Sequence, residues 1–146
     1  MKNVEEMRFA EFCNHSKELD LSQNEILYWG LRKMYKSLSI DLKSPMSTGD
    51  GWDCYEKALQ DFGIDHGEQG DKWVYDPDFD YTRLYIRIYH YLEYMYEICC
   101  DFGTDRELKD VRDADVRDVG YCAGITREDF KRYPDEKKPE RPKYTI

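Results

Sequence analysis

A chain of 146 residues with 31 Asp and Glu against 22 Lys and Arg, a formal net charge of -9, is long enough for one domain with its own core and too acidic for its bulk to be drawn to nucleic-acid phosphate. Its five cysteines (Cys13, Cys54, Cys99, Cys100, Cys122) are odd in number and lack CxxC spacing, which points to reduced thiols in a cytoplasmic protein rather than a disulfide framework. No run of about 18 apolar residues offers a membrane span, and no apolar run follows Met1 to Glu6 as a secretory leader requires.

From Asn3 to Glu18, Val4, Met7, Ala10 (or Phe9) and Phe12/Cys13 recur at spacings of three and four, which predicts a short amphipathic helix. Ser22-Gln23-Asn24-Glu25 is a capping box, and behind it Leu27, Leu31, Met34/Tyr35 and Leu38 line one face of a helix over Ser22 to Ser39. Ser44-Pro45 and Ser47-Thr48-Gly49-Asp50-Gly51 interrupt the chain. Trp52, Tyr55, Leu59 and Phe62 then share the face of a third helix, with Gly63 as its left-handed stop. Ile64 to Asp80 is rich in Gly and Asp and reads as the longest loop, with Lys72-Trp73-Val74-Tyr75 a candidate short strand.

Leu84, Ile88, Tyr91, Met95, Ile98 and Phe102 recur at 4, 3, 4, 3, 4, a heptad seam that predicts a long helix over Asp80 to Phe102 ended by Gly103. Thr82, Leu84, Ile86 and Ile88 also alternate as a strand would, so an α+β fold with a strand over 81–90 is the alternative. The tetrapeptide Asp-Val-Arg-Asp occurs at 110–113 and again at 115–118, an echo too short for a repeat architecture. Pro134, Pro139 and Pro142 stand among charges, so 134–146 reads as an extended, flexible tail. The expected fold is all-α, one acidic domain of about five helices over residues 1–133, organised on the long helix 80–102.

Residues Val116 to Tyr133 carry a further pattern. Val119, Ala123-Gly124-Ile125-Thr126, Phe130 and Tyr133 supply a small-residue helix end, a Gly turn, an apolar seal, a Thr cap and an apolar anchor. This 18-residue stretch resembles the helix-turn-helix of lac-repressor and tetracycline-repressor type proteins, although Gly120 stands where Ala is common. The resemblance implies a second helix in the major groove, with Thr126 at its start and Arg127, Glu128 and Lys131 toward the bases.

No catalytic, cofactor or metal pattern is complete. Asp76, Asp78 and Asp80 alternate, but an EF-hand loop would then place Tyr81 where Gly is needed and Arg87 where Glu is needed. His90, Glu93 and Glu97 share a helical face but are too few ligands for a metal. Tyr81, Tyr85 and Tyr89 form a ladder at four-residue spacing. The negative excess lies wholly in residues 1–103, with 11 basic against 20 acidic residues, while 104–146 balances at 11 and 11. The function expected is that of a non-enzymatic module presenting Asp76, Asp78, Asp80, Tyr85, Tyr89, Glu93 and Glu97 to a basic protein partner, in its sharpest form an inhibitor that mimics DNA in the partner's phosphate-binding groove. The alternative is a helix-turn-helix regulator binding duplex DNA, as a homodimer through the 84–102 seam.

Overall fold

In the computed structural model, which describes residues 3–41, 50–67, 70–101 and 116–137, every regular element among the described residues is helical. Over 38–41, 50–54 and 94–101 the backbone alone is described. The breaks predicted at Ser44-Pro45 and over 47–49 lie outside these residues, as does the first Asp-Val-Arg-Asp copy.

The first predicted helix is interrupted. A 3-10 turn at Val4–Glu6, whose Glu5 N–H is accepted by the Asn3 side chain, precedes α1 (Phe9–His15), and a second 3-10 turn follows at Ser16–Glu18. Between turn and helix, Met7 and Arg8 are extended, with ψ of 138° and 164°. Met7 and Phe12 are both buried, and residues five apart on an unbroken helix point about 140° away from each other. The extended pair lets both reach one core.

The capping box forms as predicted. Ser22 Oγ accepts the Glu25 N–H and Glu25 Oε1 accepts the Ser22 N–H, each at 3.2 Å, at the start of α2 (Gln23–Asp41). Its buried face carries Leu27, Leu31, Met34 and Tyr35. Helix α3 (Asp50–Asp61) begins two residues before the predicted start and buries Tyr55, Ala58 and Leu59. It stops at Gly63, φ 68°, where the Ile64 N–H donates back to the Leu59 carbonyl (3.0 Å).

No strand forms at Lys72 to Tyr75. The Tyr28 hydroxyl donates to the Trp73 carbonyl (2.6 Å) and the Asp76 N–H donates to the Tyr81 hydroxyl (2.9 Å), so side chains take backbone groups that a ladder would pair. Arg32 Nε on the Gly70 carbonyl (3.0 Å) and Asn24 Nδ2 on the Phe79 carbonyl (2.9 Å) pin the rest of this connection to α2.

Helix α4 (Tyr81–Asp101) is the long central helix, about 30 Å from end to end, so the strand alternative over 81–90 falls. It packs against α3 and α2, and α1 packs against α2. Tyr81, Thr82, Leu84, Tyr85, Ile86, Ile88 and Leu92 are all buried, which spreads around most of the circumference rather than along one seam. Leu84 and Ile88 are wholly inside the protomer, which removes them from any homodimer surface. The Met95 and Ile98 side chains, and all of Phe102, lie outside the described residues.

Residues 116–123 form α5, with Val116, Val119 and Ala123 in the core. The Tyr85 hydroxyl donates to the Val116 carbonyl (2.8 Å), and it reaches that carbonyl through the notch at Gly120, where a Cβ would stand 2.1 Å from Tyr85 Oη and 2.7 Å from Cζ. Gly120→Ala should therefore destabilise by about 1–3 kcal/mol in denaturant melts, although alanine favours a helix by about 1 kcal/mol. Adding Tyr85→Phe should recover part of the loss, and a Gly120→Ala variant more stable than the parent would contradict this packing.

Candidate functional site

Residues 116–131 form two short helices joined by a glycine turn. Gly124, φ 73°, turns the chain after α5, and α6 (Arg127–Lys131) opens on a capping box between Thr126 and Asp129. Thr126, Arg127, Glu128 and Lys131 are all exposed, and Lys131 Nζ pairs with Glu128 Oε1 at 3.3 Å. Phe130 holds the corner to α4, its ring 5.2 Å from that of Tyr89 and 5.9 Å from that of His90. At this same end of α5, Gln23 Nε2 donates to the Ala123 carbonyl (3.0 Å), and the Cys122 thiol donates to the Cys13 carbonyl (3.3 Å).

The tail does not begin at Pro134 as an extended end. Glu136 is buried, its side chain 3% exposed, and its carboxylate accepts from Arg83 Nε (2.8 Å) and from Arg87 Nε and Nη2 (2.5 and 2.7 Å). Arg83 also pairs with Asp135, and Arg87 Nη1 reaches Asp61 (3.1 Å) across α3. The Arg87 hydrogen bonds, with those of Arg83, hold the Glu136 carboxyl below its usual range despite burial. The side chains of Asp135 and Glu136 are thus tied to α4, and 138–146 lie outside the described residues.

The predicted acidic and aromatic face is divided. Tyr85 is 3% exposed and turned into the core, so it has no area to offer a partner. Tyr89 is half-buried against Phe130. Asp80 caps α4, accepting the Arg83 N–H at Oδ1 (3.1 Å) and the Tyr133 hydroxyl at Oδ2. Glu93 faces His90 at 3.8 Å, and a rise of about 1.5 Å per residue sets it about 20 Å along the helix from Asp80. The Glu97 side chain lies outside the described residues.

Asp76 and Asp78, by contrast, stay exposed, and Asp76 borders a concave surface of about 410 Å³. Phe62, Trp73 and Phe79 floor it, with Asp65, Lys72 and Asp76 among its charged members. Val74, beside it, is 77% exposed. Residues 61–80 hold seven Asp or Glu against one Lys, a local excess legible in sequence, whereas the apolar floor needed the structure. A second feature not anticipated is a basic cavity at Arg8, Lys33 and Lys36, whose only sequence signal is three cations at 32, 33 and 36 in a stretch, 26–40, without Asp or Glu.

Among the described residues no three His, Cys, Asp or Glu side chains gather as metal ligands, and no helix is long and apolar enough to cross a membrane. No family model, curated protein or solved structure matches the chain.

The Glu136 clasp carries a signed pH dependence. A carboxyl whose folded pKa is depressed stabilises above its unfolded value, about 4.3, and loses that contribution as pH falls through the folded value. Glu136→Gln should cost about 2–3 kcal/mol at pH 7, less than a fully buried pair because the arginines stay partly in water. The gap from the parent should narrow below about pH 4, and a gap independent of pH would show that the carboxylate charge is not what holds the segment.

Proposed function

We propose that the protein is a non-enzymatic binding module that engages a basic protein partner through the acid-rimmed aromatic cleft of the 62–81 connection. The observation that carries this reading is the conjunction at one concave place of Phe62, Trp73 and Phe79 with Asp65, Asp76 and the exposed Val74. Interfaces of this kind use aromatic area for affinity and rim charge for orientation and encounter rate. The connection is held by Tyr28, Arg32 and Asn24 of α2, so little ordering entropy is lost when a partner docks. In its sharpest form the partner is a nucleic-acid-binding protein whose phosphate groove accepts this surface, making the module a DNA-mimicking inhibitor.

The test places a photo-crosslinking amino acid at position 74 in the producing cell and purifies the cross-linked protein. The partner should be basic, its binding should weaken steeply as salt rises, and Asp76→Lys with Asp78→Lys should slow association at least about tenfold while leaving the melt unchanged. An acidic partner, or one captured equally by the charge-reversed variant, overturns the reading.

The second reading is duplex DNA binding at the α5–α6 corner, and the exposure of Thr126, Arg127 and Lys131 at a Gly-turned, capped corner favours it. Selection from random duplexes at about 0.15 M salt separates the two. Enrichment of a sequence, lost in Arg127→Ala with Lys131→Ala, supports this second reading, and failure to enrich any sequence removes it.

A further inference from the structure

The basic cavity lies between the start of α1 and the middle of α2, has a volume of about 400 Å³, and is lined by Arg8, Phe9, Lys33, Lys36 and Ser37. Lys33 is half-buried there. Its Nζ donates to the Met7 carbonyl (2.5 Å) and stands 5.8 Å and 5.5 Å from the ring centroids of Phe12 and Trp29. An ammonium has three N–H bonds, so the carbonyl satisfies one, and the rings offer only their faces.

Charge around this amine is lopsided. Among the described residues, Lys57, Arg83, Arg87, Lys131 and Arg132 each have a carboxylate within 4 Å. Lys33 has none, and Arg8, exposed at the cavity edge, forms no ion pair either. Burial, with the positive charges of Arg32 and Lys36 on the same helix, pulls the Lys33 amine down to about 8, against the weaker opposing pull of Glu5 and Glu11. An anion entering the cavity favours the charged amine and opposes this lowering.

We propose that this cavity binds an organic phosphate monoester, with Lys33, Arg8 and the Ser37 hydroxyl on the phosphoryl oxygens and the apolar body of the ester on Phe9. The volume falls in the range of small-molecule pockets, at its lower end, and suits a compact ligand. A phosphate monoester is close to a dianion at neutral pH and matches the two cations Lys33 and Arg8, where a single carboxylate would leave charge uncompensated. On a chain of net charge -9 such a ligand is repelled everywhere except at a local concentration of cations, so the surrounding charge sharpens the choice of site.

Two protons set the pH profile. The Lys33 amine must be charged, which weakens binding above about 8, and the phosphate must hold its second charge, which weakens binding below about 6. The maximum therefore lies between the two values.

Calorimetric titration of the full chain with phenyl phosphate and with inorganic phosphate tests this, together with the pH titration of the Lys33 ε-methylene resonance. Phenyl phosphate should bind saturably and at least about tenfold more tightly than inorganic phosphate, because the ring is buried against Phe9. The Lys33 titration midpoint should rise from about 8 when phenyl phosphate is present. Lys33→Met should weaken binding by about tenfold to a hundredfold, and the exposed Arg8→Ala, which tests the site if Lys33→Met does not fold, by about tenfold. Lys57→Met, at a surface ion pair elsewhere, should leave binding unchanged. No saturable binding of phenyl phosphate, equal affinity for the two probes, or binding undiminished in Arg8→Ala would each overturn the proposal.

Discussion

Buried tyrosine hydroxyls govern this structure, because each must find a hydrogen-bond partner or cost about 1–3 kcal/mol. Tyr28, Tyr55, Tyr81 and Tyr85 are all within the core. Their oxygens meet backbone groups of other segments: Trp73 O, Leu31 O, Asp76 N and Val116 O respectively. A hydrophobic contact tolerates sliding, but a buried hydroxyl aimed at one carbonyl does not. The four bonds thus fix α2 to the 62–80 connection, α3 to α2, that connection to α4, and α4 to α5. The rings add edge-on contacts, with Tyr28 within 5.9 Å of the centroids of Trp29, Trp73, Tyr75 and Tyr81. These bonds pin the cleft to α2 and α4.

The same chain answers the problem of clustered cations in two ways. On α4, Arg83 and Arg87 stand one turn apart and would repel one another, and the chain supplies Glu136 to bridge them, with Asp135 on Arg83. On α2 and the segment before α1, Lys33 and Arg8 are brought near by folding, and no carboxylate of the described chain is delivered to Lys33. A satisfied cluster is structural. An unsatisfied one has capacity left, and the contrast between two sites of similar composition is what separates architecture from binding here.

The helices were legible because their signals are local. The Ser22–Glu25 box, Gly63 and Gly124 mark helix ends through backbone geometry that depends on neighbours in sequence. The α4 seam was legible only in part. Leu84 and Ile88 are core, but so are Thr82 and Ile86, since a helix packed on several sides needs apolar residues in several directions, and this produced the strand-like alternation. Arg83 and Arg87 interrupt the apolar pattern because they face Glu136, about fifty residues away. Tyr85 misled for the same reason: an aromatic at helical spacing is equally suited to a core or an interface, and the choice rests on Gly120, thirty-five residues on. Sequence placed Asp76 and Asp78 on the surface and could not supply Phe62 and Trp73 as their floor, because that juxtaposition depends on α2.

The clasp of Glu136 has a consequence for how the protein is made. Arg83 and Arg87 leave the ribosome about fifty residues ahead of the carboxylate that neutralises them, an interval of roughly 3–10 s at about 5–20 residues per second. Tyr85 waits in the same way for Val116, and the N-terminal α1 and α2 for Val119 and Ala123. During that interval the nascent α4 carries two uncompensated cations and an open apolar groove, which the later segment 116–136 closes.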